Sequence, residues 1–268
     1  MFNTSNPTLL RRSVSILALM GAMALGACET TGTSSAAGAQ STASELPAAP
    51  LADDPLSQAA YWGARYEEDP SDTGLAVRYS SALRQLGSAE ESSIFMSRVA
   101  SESPNDADVL AEYAKSLIGV RRGEAALTPL ARVIVLRPND WQMYSLEGVA
   151  HDQMGEHSRA TESYERALQI SPNNPSVLNN YALSRALAGD LDGAEAMLQA
   201  AVSNPEATAQ TRQNLALVLG LRGDFNEAER LARADLPPQA VDNNLAYYRS
   251  MLTQPAAWSE LEAEEAPE

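Results

Sequence analysis

Small and apolar side chains recur along this chain with a period of 34 residues. Prolines mark the period at Pro70, Pro104, Pro138 and Pro172, and Pro205 follows 33 residues later. If segments begin at Thr73, Ala107, Trp141, Pro175 and Ala209, every eighth and every twentieth residue is small. The eighth residues are Ser80, Ala114, Gly148, Ala182 and Ala216, and the twentieth residues are Ser92, Ala126, Ala160, Ala194 and Ala228. This spacing predicts five pairs of antiparallel helices whose backbones approach closely at the small residues.

Larger residues and glycines complete the pattern. The twenty-fourth residues are Met96, Leu130, Tyr164, Leu198 and Ala232, and the twenty-seventh are Val99, Val133, Ala167, Ala201 and, as an exception, Asp235. A glycine stands fifteenth in four segments (Gly87, Gly155, Gly189 and Gly223), where we expect it to end the first helix with a positive φ. The second segment has Arg121 there, and we expect Gly123 to take over this role.

Over residues 73–235 this pattern resembles the tetratricopeptide repeat family, whose period is 34 residues. The resemblance implies an all-α solenoid of helix-turn-helix repeats at 73–106, 107–140, 141–174, 175–208 and 209–242. We expect a capping helix or half-repeat over 55–72 and a C-terminal capping helix over 243–252, since a solenoid must cover its terminal apolar faces. Residues 253–268, rich in glutamate, are predicted to form a disordered acidic tail that also holds Trp258.

The N-terminal residues predict export. Arg11-Arg12 precede an apolar stretch that runs to Leu25, which makes residues 1–27 a secretory signal peptide. Leu25-Gly26-Ala27-Cys28 resembles the lipobox of bacterial lipoproteins, which implies that Cys28 carries the lipid and that Glu29 directs the protein to the outer membrane. A plain cleaved signal and a twin-arginine signal are the alternatives. Residues 28–54, poor in large apolar side chains, are predicted to be a disordered tether.

The acidic composition of the chain disfavours some classes of binding partner. The chain carries 35 acidic and 19 basic residues, a formal net charge of −16. This charge disfavours nucleic acid and anionic lipid headgroups as partners. It indicates either an ordinary soluble surface or a basic protein partner.

Catalytic and metal-binding patterns do not emerge from the sequence. His151 and His157 stand six residues apart and point to different sides of a helix, so they do not form a two-histidine metal pair. His151 occupies a core position, which favours a partly buried, hydrogen-bonded histidine. Paired acids such as Glu90-Glu91 indicate solvated helix faces. We therefore predict a non-enzyme without cofactor, metal or small-molecule substrate.

The remaining candidate site is the inner face that first helices line in tetratricopeptide arrays. Positions two, five, nine and twelve of each repeat face it, and asparagine and glutamine there can bond an extended peptide backbone. The alternative is that these amides bond neighbouring helices. The candidates are Arg84, Lys115, Gln142, Ser145, Asp152, Ser176, Asn179, Asn180, Leu183, Gln213 and Asn214.

Several segments are more particular than the general repeat. They are 177–184, 189–191, 212–221, 223–225, 235–237 and 243–252. With the lipobox, they resemble the TadD type of lipoprotein from the tight-adherence (Flp) pilus assembly system of Gram-negative bacteria. The resemblance implies an outer-membrane scaffold, facing the periplasm, that helps to localise or stabilise the secretin ring. An envelope adaptor that docks cell-wall hydrolases or division enzymes is the alternative.

Replacing Cys28 with Ser tests the lipid anchor. In bacterial lipoproteins the lipid is attached through a thioether bond to the cysteine sulfur, which serine lacks. Because acyl chains contribute about 0.8 kcal/mol per buried methylene to membrane attachment, the variant without them should move from the membrane fraction to the periplasm. Fractionation of cell envelopes measures this, and a Cys28→Ser chain that stays with the membrane would contradict the prediction.

Overall fold

Twelve helices follow one another in the computed structural model, which describes residues 54–253. The predicted signal peptide, Cys28, nearly all of the tether and the tail beyond Thr253 lie outside the described residues. The helices are α1 (Pro55–Glu68), α2 (Thr73–Gln85), α3 (Ala89–Glu102), α4 (Ala107–Gly119), α5 (Gly123–Leu136), α6 (Trp141–Gln153), α7 (His157–Ile170), α8 (Pro175–Leu187), α9 (Leu191–Val202), α10 (Ala209–Arg222), α11 (Phe225–Ala232) and α12 (Pro238–Thr253). The all-α fold predicted from the sequence is confirmed.

Each first helix begins at a side-chain cap that repeats every 34 residues. The capping residues are Asp72, Asp106, Asp140, Asn174 and Thr208. Asp72 Oδ1, for example, accepts a hydrogen bond of 2.8 Å from the Gly74 N–H. Such caps satisfy backbone donors that have no partner within the helix, and each contributes about 1 kcal/mol. The caps fix where every repeat starts.

Small residues bring the two helices of each pair together. Apart from Gly148, all eighth and twentieth residues are 0 % exposed. Gly148 is buried against the Tyr164 ring, and a Cβ at this glycine would lie 2.6 Å from that ring. The twenty-fourth residues, from Met96 to Ala232, are also buried. The predicted interior of the helix pairs is therefore confirmed.

The turns between paired helices use a left-handed residue in every repeat. Gly87, Gly155, Gly189 and Gly223 have φ values of 89°, 72°, 88° and 91°, as expected. In the second repeat Arg121 itself adopts a φ of 59°, and the Arg122 N–H still closes the turn on the Leu117 carbonyl at 2.9 Å. The expectation that Gly123 ends this helix is wrong, because the turn needs its left-handed residue two positions earlier, whatever its side chain.

Gly123 instead opens α5 and lies against the next repeat. A Cβ here would approach the Ala150 carbonyl oxygen to 2.6 Å and the Gln153 side chain to 3.0 Å. Gln153 Nε2 donates to the Ile118 carbonyl at 2.9 Å, across the same junction. Gly123 is therefore required for the close packing of the second and third repeats.

The C-terminal end departs from the regular repeat. The second helix of the fifth repeat, α11, has only eight residues, and α12 begins at Pro238 rather than at 243. Proline favours the first turn of a helix, which explains the early start inside the predicted 209–242 repeat. Asp235, which broke the small-residue pattern, lies beyond α11 in the connection to α12.

Helix α12 packs as the first helix of an incomplete sixth repeat. Val241, Leu245 and Tyr248 are 0 %, 3 % and 1 % exposed, and a Cβ at Gly220 of α10 would clash with the Tyr248 ring. The other side of α12 is exposed, as at Ala246, and no second helix follows among the described residues. The array thus ends with one helix rather than with a pair.

Consecutive first helices contact one another along the array, from α2 and α4 to α10 and α12, whereas consecutive second helices lack comparable contacts. The first helices therefore lie on the inner side of the stack. We call the inner surface formed by α2, α4, α6, α8 and α10 the first-helix face.

We predict that Gly123→Ala lowers the free energy of unfolding by about 1–3 kcal/mol, because the added methyl group overpacks the junction with Ala150. The neighbouring exposed site offers a control: Glu124→Ala should change stability by less than about 0.5 kcal/mol. Urea unfolding followed by circular dichroism measures both. A Gly123→Ala chain as stable as Glu124→Ala would contradict the tight junction.

Candidate partner-binding face

Amide side chains join three first helices in a continuous row of hydrogen bonds. Gln210 Nε2 donates to Asn214 Oδ1 at 3.0 Å, and Asn214 Nδ2 donates to Asn179 Oδ1 at 2.8 Å. Asn179 then donates to Asn180, and Asn180 to Ser145, each at 3.2 Å. We call this row, from Ser145 to Gln210, the amide ladder.

The amide ladder decides between the two interpretations of these residues. Asn179, Asn180 and Asn214 bond one another across α8 and α10, so the structure gives them the helix-joining contacts of the second interpretation. Each of these amides uses part of its hydrogen-bonding capacity in bonds to its neighbours, and these bonds fix the relative position of the helices. Ser145 and Asn214 are 4 % exposed. Asn179 and Asn180 are half-buried and Gln210 is exposed, so a partner can still contact these parts of the row.

Asp152 is the centre of a second polar group and lies beneath the face. Its carboxylate accepts hydrogen bonds from Tyr164 Oη at 2.9 Å and Ser184 Oγ at 2.8 Å, and its Oδ1 lies 2.9 Å from His157 Nδ1. Only 4 % of the Asp152 side chain is exposed. The prediction that Asp152 faces a partner is therefore wrong, because the carboxylate joins α6, α7 and α8 from within.

The burial of Tyr164 beside the Asp152 carboxylate changes the pKa of its hydroxyl group. Burial, reinforced by the adjoining Asp152 carboxylate, raises the pKa of Tyr164 well above its ordinary value of 10.0. A phenolate here would be desolvated and would face a negative charge.

The first two repeats contain a third polar group, which the sequence analysis did not identify. Glu112 is 3 % exposed and accepts a hydrogen bond of 2.7 Å from Arg84 Nε, while Lys115 Nζ lies 3.7 Å from its other oxygen. A buried carboxylate of this kind needs both charge and hydrogen-bond partners. Because two cations share one carboxylate, Arg84 and Lys115 leave a net positive charge on this part of the first-helix face.

Buried hydroxyl groups support Glu112. Ser92 Oγ lies 2.8 Å from Ser80 Oγ and 2.7 Å from Ser116 Oγ, and Ser80 Oγ donates to Glu112 at 3.3 Å. Serine at both small positions of one repeat was the available sequence signal, since the other repeats have alanine or glycine there. A serine at these sites needs a buried hydrogen-bond partner, whereas alanine needs none.

The Gln213 side chain forms its contacts at the end of the fifth repeat. Its Nε2 donates to Asp235 Oδ2 at 3.1 Å, and Arg212 forms an ion pair with the same carboxylate. The Arg212 guanidinium holds the pKa of Asp235 below its ordinary range. Gln213 therefore joins α10 to the connection that follows α11, rather than pointing freely from the face.

The most accessible part of the face is the first turn of each first helix. Gln142 and Ser176, both at position two, are exposed. Leu183 is buried at position nine, with Val149 at the corresponding position of α6 half-buried. Uncharged polar groups around a partly aliphatic strip can hydrogen-bond a peptide backbone and cover apolar side chains at the same time.

The two histidines belong to the turn between α6 and α7. His151 Nδ1 lies 2.8 Å from Glu156 Oε2, so each histidine pairs with a carboxylate across this turn. Within residues 54–253, no group of three or more His, Cys, Asp or Glu side chains is placed to hold a metal ion. Over the same residues, no helix has the length and apolar character needed to cross a membrane.

We predict that alkaline pH destabilises the array through Tyr164. The folded chain keeps the Tyr164 proton while the unfolded chain loses it above about pH 10, so the free energy of unfolding should fall by up to about 1.4 kcal/mol per pH unit for this group. Tyr164→Phe should be less stable than wild type by about 1 kcal/mol at pH 8, and this difference should shrink above pH 10. Urea unfolding at pH 8, 10 and 11 measures it, and a constant difference would contradict the shifted pKa.

Comparisons with known proteins agree with this architecture. A tetratricopeptide repeat family model matches residues 153–210. The solved structure of TTC0263, a thermophilic TPR protein from Thermus thermophilus, is 21 % identical and has a TM-score of 0.58, over 65 % of this chain and 96 % of that one. MamA from Desulfovibrio magneticus RS-1 is 18 % identical with a TM-score of 0.48, over 56 % of this chain and 84 % of that one. No curated protein matches the chain. The described part of the chain therefore has the fold of a tetratricopeptide repeat array.

Proposed function

We propose that this protein is a non-catalytic scaffold, lipid-anchored at Cys28 in the outer membrane and facing the periplasm, that binds protein partners on its first-helix face. The observation that carries the proposal is the side-by-side contact of first helices from α2 to α12. These contacts create a continuous surface several helices wide. A surface of this form suits an extended or helical segment of another protein better than a small molecule.

The proposed partner class is a component of the tight-adherence (Flp) pilus secretion apparatus, with the secretin as the first candidate. The support is the resemblance of segments 177–184, 212–221 and 243–252 to the TadD type, together with the lipobox. Two of these segments lie in α8 and α10, which carry the amide ladder. The resemblance therefore includes two helices that hydrogen bonds join across the first-helix face.

Polar contacts on the exposed first turns should carry recognition. The ladder amides are unsuitable for testing this, because removing them would disturb helix packing. Gln142 and Ser176 are exposed and lie in consecutive repeats on this face. Arginine at both positions would add bulk and two charges without removing a helix contact.

We predict that Gln142→Arg with Ser176→Arg reduces secretin capture in envelope crosslinking and pull-down by about tenfold or more, as expected when central contacts of an interface are lost. The matched control is Ser158→Arg with Gln199→Arg, which makes the same residue changes on the exposed surfaces of second helices α7 and α9. The control should capture the secretin normally. Equal capture by both variants would contradict the assigned face.

Deletion of the gene distinguishes the pilus role from the cell-wall role. Loss of surface pili and of assembled secretin is expected if the protein serves the pilus system. Normal piliation, with crosslinks to cell-wall hydrolases or division enzymes instead, would overturn the pilus assignment and leave the scaffold assignment in place.

A further inference from the structure

An open apolar pocket of about 460 Å³ lies between α3, α4 and α5, at residues outside the positions assigned to the first-helix face. Ala100, Pro104, Leu110, Tyr113 and Pro129 form its apolar part, and Arg132 stands on its wall. The volume falls in the range of pockets that hold small ligands or single large side chains, roughly 300–1,000 Å³. We call this cavity the outer pocket.

One residue that lines the outer pocket is smaller than its equivalents in the next repeats. Position 28 is Ala100 in the first repeat but Ile134, Leu168 and Val202 in the next three. At the following junction Tyr144 also replaces Leu110, and the Arg166 guanidinium lies 5.8 Å from the Tyr144 ring centre. Ala100 therefore leaves room in the outer pocket that a side chain of the size of isoleucine would take up.

Two exposed aliphatic side chains flank the pocket on the same helices. Ile94 is 64 % exposed and lies one turn before Ser97 of the pocket wall, and Val135 is 80 % exposed and lies one turn after Arg132. Residues three apart share a helix face. Both side chains thus add exposed apolar area beside the pocket, and exposed apolar area of this kind is typical of a protein interaction site.

The charge at the pocket favours an acidic partner. Arg132 is the single charged residue of the pocket wall, and its guanidinium donates to Asn105 Oδ1. Across the described chain, no ion pair joins Arg132 to a carboxylate, whereas the nearby Arg137 is held by Asp108 at 2.8 Å. An acidic group beside a bulky apolar side chain would complement this site.

The chain itself contains such a segment. Residues 254–268 hold Trp258 and Leu261, five glutamates and no lysine or arginine. A tryptophan buries 150–250 Å² and is the residue type most suited to anchor in a pocket, with charged neighbours at the rim. The segment therefore offers both the apolar anchor and the charge that the outer pocket lacks.

We propose that the outer pocket binds the acidic segment 254–268 of a second copy of this chain, with Trp258 in the cavity and glutamates facing Arg132. The same copy cannot reach, because five residues from Thr253 to Trp258 span at most about 18 Å. The pocket lies at α3–α5 and α12 packs on α10 and α11, three helix pairs further along, or about 25–30 Å at ordinary helix spacing. Head-to-tail contacts of this kind join copies in series.

A labelled peptide of residues 254–268 tests the site. The receptor is the full chain with Cys28→Ser and Trp258→Ala, which carries neither lipid nor its own anchor. Fluorescence anisotropy should show saturable binding that weakens as salt rises. Ala100→Ile in the receptor, or Trp258→Ala in the peptide, should weaken binding at least about tenfold. Absence of binding, or undiminished binding after Ala100→Ile, would overturn the proposal.

Two further receptor variants distinguish a loss of peptide binding at the outer pocket from a loss of folding. Ala200→Ile makes the same change on the exposed surface of α9 and should leave peptide binding unaltered. Arg132→Glu alters an exposed charge without changing the core and should also weaken binding, so the test holds even if Ala100→Ile folds poorly. Binding that Arg132→Glu leaves unchanged would remove the acidic segment as the occupant.

Sedimentation of the full Cys28→Ser chain tests the second copy. Association should increase with protein concentration and should disappear in Ala100→Ile and in the chain that carries Trp258→Ala. A chain that stays monomeric while the peptide binds would overturn the inter-copy arrangement. Secretin capture by Gln142→Arg with Ser176→Arg uses the other face, so failure of either proposal is recognised separately.

Discussion

The close approach of paired helix backbones is the constraint on which this array depends. The residues at the eighth and twentieth positions are small and buried, and at Gly148 a single Cβ would meet the Tyr164 ring at 2.6 Å. Dense packing of this kind fixes the distance between helices, and the repeat then fixes the next pair in the same way. The first-helix face and the outer pocket both depend on that regular stacking: the face lies where first helices meet, and the pocket lies at a junction where Ala100 stands in place of the larger residues of the next repeats.

Buried polar contacts determine which helices pack together in this core. Small apolar side chains alone would allow more than one arrangement of the helices. Glu112, Asp152 and the amide ladder each join helices of consecutive repeats. Removing one member would leave a buried donor or acceptor unsatisfied, which costs about 1–3 kcal/mol and more for a charge. These groups therefore make the neighbouring repeats dependent on one another, in addition to the apolar contacts that any repeat array has.

Much of the fold could be predicted from the sequence because the residues that determine the helix pairs and turns recur in each repeat. Five small residues in step at each of two positions identify the helix pairs, and four glycines identify the turns. The 34-residue series from Asp72 to Thr208 would have located the helix starts as well. The prediction failed where one repeat differs: the turn conformation at Arg121 is imposed by the helices around it, and α12 begins early, at Pro238, after a shortened α11.

The candidate site was less accessible to sequence reasoning. Position in the repeat correctly places Gln142 and Asn179 on first helices, but it does not say whether an amide points outward or bonds its neighbour. That outcome depends on residues 35 positions away, such as Ser145 for Asn180 and Asn179 for Asn214. Asp152 is a stronger case, since a carboxylate at a position that normally faces a partner is buried by Tyr164 and Ser184, which have hydroxyl groups to offer it.

The placement of the polar groups has a consequence for how such a chain can change in length during evolution. Glu112 and its serines link the first repeat to the second, and Asp152 and the ladder link the third, fourth and fifth, whereas the second and third repeats meet at Gly123 through tight packing and the Gln153 side chain. Duplication or loss of a repeat inside either linked block would separate hydrogen-bonded partners. Recombination at the boundary near residues 137–140 would keep both sets of partners together, and the new junction would have to restore only the packing at Gly123 and the hydrogen bond of Gln153.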